Sequence, residues 1–163
     1  MKNINYKNKK ILITGADGFI GSHLVEKLSS YNCNITAMSL YNSFNTWGWL
    51  DNIDKNILNN IEIISGDIRD YKFVNKAVKN SDIVFHLASL IAIPYSYHSP
   101  NSYLQTNVQG TLNVLEAALD SNIKKIIHTS TSEVYGDTKK IPINEDTPII
   151  SKSPYSATKI AAD

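Results

Sequence analysis

The stretch Thr14-Gly15-Ala16-Asp17-Gly18-Phe19-Ile20-Gly21 decides the fold of this 163-residue chain. It stands between an apolar run, residues 10–14, and a helical pattern, residues 19–30. At such a junction the first glycine permits a tight turn, the second lets the backbone approach a diphosphate, and the third lets helix and strand pack closely. The free N–H groups and positive dipole at the helix start attract phosphates. The stretch therefore predicts a dinucleotide site formed by Gly15, Asp17, Gly18, Phe19, Ile20 and Gly21.

Short apolar runs alternate with helical patterns along the whole chain. Strands are predicted at 10–14, 34–40, 61–65, 83–87 and 126–130, and helices at 19–30, 71–79, about 101–120 and from about 154 onward. Apolar strands separated by helices indicate an α/β fold, a Rossmann-type doubly wound parallel sheet covered on both faces. In the long helix one apolar face is predicted to be buried, formed by Leu104, Val108, Leu112, Leu115 and Leu119.

Composition excludes several classes of protein. Sixteen basic residues balance fifteen acidic ones to a charge of +1, which argues against a nucleic-acid partner. The one cysteine, Cys33, rules out an internal disulfide, and the four histidines lack the close spacing of metal ligands. No apolar run approaches the roughly 20 residues that span a bilayer. We expect a cytoplasmic protein without a membrane or metal partner.

The segments after the second and third strands are candidates for the adenosine end of the site. An acidic residue about 20 positions after the glycine loop would hold a ribose hydroxyl, but it is missing. No arginine stands there to hold a 2′-phosphate, so NAD and NADP both remain open at this point. Ser39 is the nearest hydroxyl and is a candidate ribose contact. Asp67 and Ile68 are candidates for binding the adenine amine and ring, the alternative being a loop with helix-capping charges.

Two further motifs, 130–136 and 153–159, come at and after the end of the fifth strand. Pro154 suits the first turn of a helix, so Tyr155 and Lys159 lie one turn apart on one face. A nearby ammonium stabilises phenolate over phenol, which makes Tyr155 a candidate base for a hydroxyl proton as hydride leaves the same carbon. Taken alone, the pair would be better interpreted as an ordinary surface Tyr and Lys.

Together these motifs resemble the extended short-chain dehydrogenase/reductase family, the sugar-nucleotide epimerases and dehydratases. The resemblance covers the chain from Ile11 onward and rests on segments 14–21, 66–69, 86–88, 107–111, 131–136 and 155–159. It implies NAD as cofactor, with NADP not excluded, and a nucleotide-sugar substrate. It also implies that Leu87 and Ala88 contact the cofactor, as do the catalytic residues Tyr155 and Lys159. In the same resemblance Thr131 hydrogen-bonds the substrate's C4 oxygen, and Asn107 gives structural support.

Within that family, the residues after Thr131 separate two reactions. A 4-epimerase needs no further acid or base there, whereas a 4,6-dehydratase must also remove the C5 proton and expel the C6 hydroxyl. Ser132 and Glu133 resemble the GDP-mannose dehydratase group, which implies that Glu133 handles the proton and Ser132 assists as a donor. We expect a 4,6-dehydratase acting on a UDP- or GDP-linked N-acetylglucosamine or related hexose, with a 4-epimerase as the alternative.

The segment 41–51 contains four aromatic residues, Tyr41, Phe44, Trp47 and Trp49. We expect these side chains to cover something. The segment resembles the UDP-N-acetylglucosamine 4,6-dehydratases of the legionaminic acid type, as do 127–136 and 153–163. The alternative is that the tryptophans pack on the adenine side or against a second subunit.

The chain stops at Asp163, about ten residues into the last helix, without a glycine stop. We expect an N-terminal fragment in which 1–163 is an incomplete dinucleotide-binding domain and the substrate domain is absent. A non-catalytic dinucleotide-binding fragment is therefore a second alternative. The family resemblance implies a homodimer built through the helices at 101–120 and 154–163.

Overall fold

The computed structural model describes residues 4–139 and 141–163. Its strands are β1 Lys10–Thr14, β2 Asn34–Leu40, β3 Glu62–Gly66, β4 Ile83–His86 and β5 Lys125–His128. Its helices are α1 Phe19–Ser29, α2 Lys55–Leu58, α3 Tyr71–Val78, α4 Ile93–His98, α5 Pro100–Tyr103, α6 Gly110–Asp120 and α7 Pro154–Ala162. Two 3-10 turns cover Gly48–Asn52 and Ser132–Tyr135, and a π-helical turn, Leu104–Gln109, joins α5 to α6.

Within these residues the five strands form one parallel sheet in the order β3-β2-β1-β4-β5. The chain moves outward from β1 to β2 and β3, and then returns to β4 on the other side of β1. This order confirms the predicted Rossmann-type α/β fold. It also creates a switch point between the carboxyl ends of β1 and β4, which is where such sheets bind ligands.

The core lies on both faces of β1. Ile11 and Ile13 pack on one face with Val25 of α1. Leu12 packs on the opposite face with Val114 of α6. Side chains alternate along a strand, so an apolar β1 needs a helical layer on each side, as the sequence predicts.

The bounds of the elements follow the predictions closely where the pattern is long enough to read. Strands β1 and β2 begin and end at the predicted residues, and the other strands differ by one or two residues. The sequence did not predict the 3-10 turn Gly48–Asn52, α2 or α4. Each is too short to show a helical period.

The predicted buried face of the long helix is wrong for this chain. Its leucines are between 42% and 78% exposed, namely Leu104, Leu112, Leu115 and Leu119, and Val108 is partly buried. The helix instead turns Val114, Ala117 and Ala118 toward the sheet. Small side chains let a helix approach a sheet closely, so the periodic leucines are left on the outer side.

Cys33 lies just before β2 and is partly buried. Its thiol donates to the carbonyl oxygen of Leu28 at 3.2 Å, and burial raises the pKa of the thiol. This environment is that of a small structural cysteine. No helix in the described part of the chain has the length and apolar character needed to cross a bilayer.

Candidate cofactor and catalytic site

The three loop glycines are held in different ways. Gly15 has a φ of +68°, and a Cβ atom on it would lie 2.7 Å from the backbone nitrogen of Ala88. A Cβ on Gly21 would lie 2.1 Å from the carbonyl oxygen of Gly15, because α1 packs directly on the loop. Among the described residues, a Cβ on Gly18 would meet this oxygen alone, at 3.4 Å. Gly15 and Gly21 are therefore needed to build the loop, whereas Gly18 borders open space.

The start of α1 faces that open space. Gly18 is the N-cap residue, and no side chain caps the helix. The N–H groups of the first turn are consequently available to an anion, which the helix dipole also favours. The side chains of Phe19 and Ile20 are exposed beside it. An open glycine and an uncapped helix start form a cradle that fits a diphosphate.

Asp17 fastens the glycine loop to the segment that follows β2. Its Oδ2 accepts a hydrogen bond from the backbone nitrogen of Leu40 at 3.1 Å. Its carbonyl oxygen accepts from the nitrogen of Trp49 at 2.9 Å. Gly48 permits this approach, since it has a φ of +62° and a Cβ on it would lie 2.6 Å from the same carbonyl oxygen. Asp17 thus stabilises the glycine loop through these two hydrogen bonds. Its contact with a cofactor stays a prediction.

The aromatic side chains after β2 lie at the surface of this chain. Tyr41 is 72% and Phe44 is 84% exposed, and Trp47 and Trp49 are about half exposed. The chain itself does not bury these four side chains, and what they cover stays a prediction. The Trp49 ring stands edge-on to Phe19 with centroids 5.2 Å apart. The aromatic segment consequently flanks the start of α1 and the cradle.

The candidates for the adenosine end have different surroundings. Ser39 is 1% exposed and its hydroxyl bonds to that of Ser65 at 3.0 Å, so a ribose contact has little support there. Asp67 accepts from the Nε and Nη2 atoms of Arg69 at 2.9 and 2.5 Å. This guanidinium holds the pKa of the Asp67 carboxyl below its usual value. Ile68 is buried and packs against Gly110. A Cβ atom added to Gly110 would lie 2.5 Å from Cδ1 of Ile68.

His86, the last residue of β4, is 2% exposed and uses both ring nitrogens. Its Nδ1 lies 2.8 Å from Oγ1 of Thr14, and its Nε2 lies 2.9 Å from Oγ1 of Thr111. The N–H groups of the next residues, Leu87 and Ala88, each donate to Oγ1 of Thr14 at 3.2 Å. His86 falls in the predicted strand 83–87, which favours core packing, whereas the sequence does not indicate either threonine.

Burial lowers the pKa of His86 to about 3, with the charges of His128 and Lys159 adding in the same direction. The ring is therefore neutral at neutral pH. Within residues 4–139 and 141–163, no three His, Cys, Asp or Glu side chains come together as metal ligands.

The 3-10 turn Ser132–Tyr135 presents the residues that follow β5. Oγ1 of Thr131 accepts from the nitrogen of Glu133 at 3.3 Å and so caps the turn. Val134 is buried and anchors the turn, whereas Ser132 and Glu133 are exposed. Because β5 ends at the same sheet edge as β1, the turn places an exposed glutamate at that edge.

Helix α7 is held at its start by a capping box. The hydroxyl of Ser153 accepts from the nitrogen of Ser156 at 3.0 Å, and the hydroxyl of Ser156 accepts from the nitrogen of Ser153 at 3.0 Å. Pro154 occupies the first turn, as predicted. Tyr155 and Lys159 therefore lie one helical turn apart, and both are buried.

Lys159 ties α7 to the end of β5. Its Nζ donates to the carbonyl oxygen of Thr129 at 2.6 Å. Burial lowers the pKa of the ammonium, and the Asp163 carboxylate opposes this effect. An ammonium has three donor hydrogens, and the bond to Thr129 uses one of them. The Tyr155 ring meets Tyr103 edge-on at 6.3 Å, which steadies the other member of the pair.

Comparison with known proteins agrees with this geometry. The sequence model of GDP-mannose 4,6 dehydratase matches residues 12–163. The low-salt glycan biosynthesis protein Agl12 of Haloferax volcanii is 36% identical, over 94% of this chain and 49% of its own length. The dTDP-glucose 4,6-dehydratase of Mycolicibacterium smegmatis is 34% identical, over 94% of this chain and 46% of its own length. The chain thus spans about half the length of the curated relatives it matches.

Solved structures share the fold at similar levels of identity. The UDP-N-acetylglucosamine 4-epimerase from Methanobrevibacter ruminantium M1, in complex with UDP-N-acetylmuramic acid, has a TM-score of 0.85 and 35% identity, over 96% of this chain and 48% of the other. MoeE5 in complex with UDP-glucose and NAD has a TM-score of 0.79 and 33% identity, over 94% and 46%. Since the family model covers nearly the whole chain, this protein belongs to the NAD-dependent epimerase/dehydratase family of short-chain dehydrogenases/reductases, within its GDP-mannose 4,6-dehydratase-like group.

Proposed function

We propose that this chain forms the NAD-binding part of a nucleotide-sugar 4,6-dehydratase. The substrate class is a UDP- or GDP-linked N-acetylglucosamine or related hexose, and UDP-N-acetylglucosamine is the first to test because of the sequence resemblance to the legionaminic acid type. One observation carries the choice of reaction: Glu133 is an exposed carboxylate two residues after Thr131, in the turn that follows β5. A 4-epimerase has no use for an acid or base at that position.

The residues of the cradle fit NAD. Gly18 leaves room for the diphosphate, and the uncapped start of α1 supplies N–H donors. Arg69 is the one arginine in the sequence, and it is paired with Asp67, which leaves no guanidinium for a 2′-phosphate. This supports NAD over NADP. When bound, NAD supplies the acceptor and later the donor of a hydride.

Tyr155 and Lys159 would remove the proton of the C4 hydroxyl. Tyr155 accepts this proton as the general base, and Lys159 is the cation one helical turn away on the same helix. The hydroxyl of Thr131 orients the C4 oxygen. Since Lys159 is anchored on Thr129, the position of its charge is set before substrate arrives.

Glu133 would be the base and then the acid of the elimination. Its carboxylate takes the proton from C5, and the resulting acid returns a proton to the C6 hydroxyl as that group leaves as water. Ser132 assists as a hydrogen-bond donor. With the hydride given back at C6 and a proton added at C5, the product would be a 4-keto-6-deoxy sugar.

A 4-epimerase is the second candidate, because one similar solved structure is a UDP-N-acetylglucosamine 4-epimerase. That reaction requires Thr131, Tyr155 and Lys159 alone. A third candidate is a non-catalytic dinucleotide-binding protein. Binding of NADH by a protein that turns over no nucleotide sugar would favour it.

The proposed subunit arrangement is a homodimer formed through the helices at 101–120 and 154–163. The exposed leucines of the long helix support this arrangement, because an apolar stripe on an outer helix face is stable when a partner covers it.

The test uses the complete protein with NAD and UDP-N-acetylglucosamine, and the product is weighed by mass spectrometry. Loss of one water identifies a dehydratase, whereas an unchanged mass with an altered C4 configuration identifies an epimerase. Glu133→Gln should block loss of water by about a hundredfold or more while NADH still forms. Glu26→Gln, an exposed glutamate near the far end of α1, is the matched control and should leave turnover unchanged. Normal dehydration by Glu133→Gln would refute the assignment of Glu133.

A further inference from the structure

His86 lies in the middle of a buried hydrogen-bond chain at the switch point of the sheet. On one side, Oγ1 of Thr14 accepts from the nitrogens of Leu87 and Ala88, both at 3.2 Å. The N–H of Leu87 is shared with the carbonyl oxygen of Thr14, also at 3.2 Å. Since the hydroxyl receives both N–H groups, its own proton goes to Nδ1 of His86 at 2.8 Å. Nδ1 is therefore an acceptor without a hydrogen.

The other ring nitrogen has the opposite role. Oγ1 of Thr111 donates its proton to the carbonyl oxygen of Asn107 at 2.6 Å. Toward Nε2 of His86, at 2.9 Å, this oxygen can act only as an acceptor. Nε2 therefore carries the hydrogen, and His86 is a neutral imidazole in one defined tautomer. The network is complete at both ends, which is the condition for a stable buried polar group.

The first half of this chain reaches the glycine loop. The nitrogen and Cα atoms of Ala88 lie 2.7 and 2.8 Å from the position that a Cβ on Gly15 would take. Ala88 is thus the surface on which the loop rests, and Thr14 holds its N–H group. By orienting the Thr14 hydroxyl, His86 sets where that surface lies.

The second half reaches α7. The side-chain nitrogen of Asn107 donates to Oγ1 of Thr158 at 3.1 Å. Oγ1 of Thr158 in turn donates to the carbonyl oxygen of Tyr155 at 2.7 Å. Through Thr111 and Asn107, His86 is therefore linked to the helix that carries the proposed catalytic pair.

We propose that His86 is a positioning residue that holds the glycine loop and the Tyr155–Lys159 helix in one fixed relation through its Nε2–H tautomer. His86 is 2% exposed and does not touch a ligand, so it acts through Thr14 and Thr111. This inference rests on the proposed function, in which a cofactor lies between the loop and α7.

Two substitutions of His86 test the contacts of its two ring nitrogens separately. In His86→Asn the amide reaches the place of Nδ1 and keeps the partner of Thr14, but the contact with Thr111 is lost. In His86→Gln the amide reaches the place of Nε2 and keeps the partner of Thr111, but the contact with Thr14 is lost. In the complete protein, we expect His86→Asn to retain its NADH affinity and lose about tenfold in kcat. We expect His86→Gln to lose about tenfold in NADH affinity with a smaller change in kcat.

A second pair of variants keeps the test decisive if the His86 variants fail to fold. Thr111→Val removes the acceptor of the Nε2 hydrogen at nearly constant shape and should reproduce the loss of kcat. Thr111→Ser keeps the hydroxyl and should restore kcat. A merely structural role would lower affinity and turnover together in every variant, without rescue by serine.

The tautomer itself is read by long-range ¹H–¹⁵N NMR of the histidine-labelled complete protein, with His86→Asn to assign the signal. Hydrogen on Nε2 supports the proposal, and hydrogen on Nδ1 or on both nitrogens at neutral pH overturns it. Wild-type affinity and kcat in His86→Asn, His86→Gln and Thr111→Val would also overturn it. Failure of the wild-type protein to bind NADH would instead refute the proposed function.

Discussion

Acidification from pH 7.5 to pH 5 should lower the free energy of unfolding, because His86 is buried as a neutral ring. In the unfolded chain a histidine binds a proton below a pKa of about 6.5. In the fold, burial and the nearby charges of His128 and Lys159 lower the pKa of His86 to about 3. The unfolded state therefore binds more protons throughout this window, and stability falls as the pH falls from about 6.5 to about 3. Above that window the contribution is fully retained.

The size of the loss follows from the two pKa values. A pH of 5 lies about 1.5 units below the pKa of His86 in the unfolded chain, so the ring is protonated there. In the folded protein the ring is still neutral at this pH. The resulting loss is RT ln(1 + 10^1.5), or about 2 kcal/mol. The pKa of His128 is also lowered by burial, so it adds a loss of the same sign. Burial also lowers the pKa of Lys159 from its ordinary alkaline value.

Denaturant unfolding of the complete protein and of His86→Gln, at both pH values, measures this difference. The variant lacks the titrating ring but keeps His128, so the wild-type protein should lose about 2 kcal/mol more than the variant between pH 7.5 and pH 5. An equal loss in both proteins would show that His86 is already protonated or accessible in the fold, and would refute the reasoning.

Four other substitutions test the loop, α7 and the outer helix face. Gly18→Ala should keep the wild-type Tm and lose at least about tenfold in NADH affinity, because its Cβ enters the cradle and not the protein. Gly21→Ala should be destabilised by about 1–3 kcal/mol or more, because its Cβ would lie 2.1 Å from a backbone oxygen, and thermal unfolding separates the two glycines. Ser153→Ala removes the capping box of α7 and should cost about 1 kcal/mol, while Ser153→Thr should not. Leu115→Glu should separate a homodimer in sedimentation experiments with little loss of subunit stability, since this side chain is 42% exposed, and an unchanged dimer would exclude this face as the interface.

Most of the fold was predictable because its signals are local. Five apolar runs and four helical patterns lie in the order of a Rossmann sheet, and the observed strands differ from the predictions by at most two residues. The glycine loop and the Tyr155–Lys159 spacing were also readable, because each motif lies within eight consecutive residues. The ribose contact of Ser39 stays a prediction, since the sequence shows its hydroxyl but not that this hydroxyl bonds to Ser65.

The long helix shows the limit of periodicity. Its leucines form a regular apolar face, and so do the smaller residues on the other side. A helical period identifies an apolar stripe without naming what covers it, so the sheet-facing side was assigned to the wrong residues. Burial of Val114 and Ala117 against the sheet, with exposed leucines outside, emerges only from the packed structure.

By itself the amino-acid sequence determined the α/β class, the glycine cradle and the helix that carries Tyr155 and Lys159, since each depends on the conformational preferences of neighbouring residues. Only the tertiary structure decided which groups meet His86. Thr14 is 72 residues before it and Thr111 is 25 residues after it, and no sequence period connects them. The pairing of β1 with β4 brings Thr14 to His86, and the packing of α6 on the sheet brings Thr111 to the same ring. The need to satisfy every buried polar atom then sets the direction of each hydrogen bond.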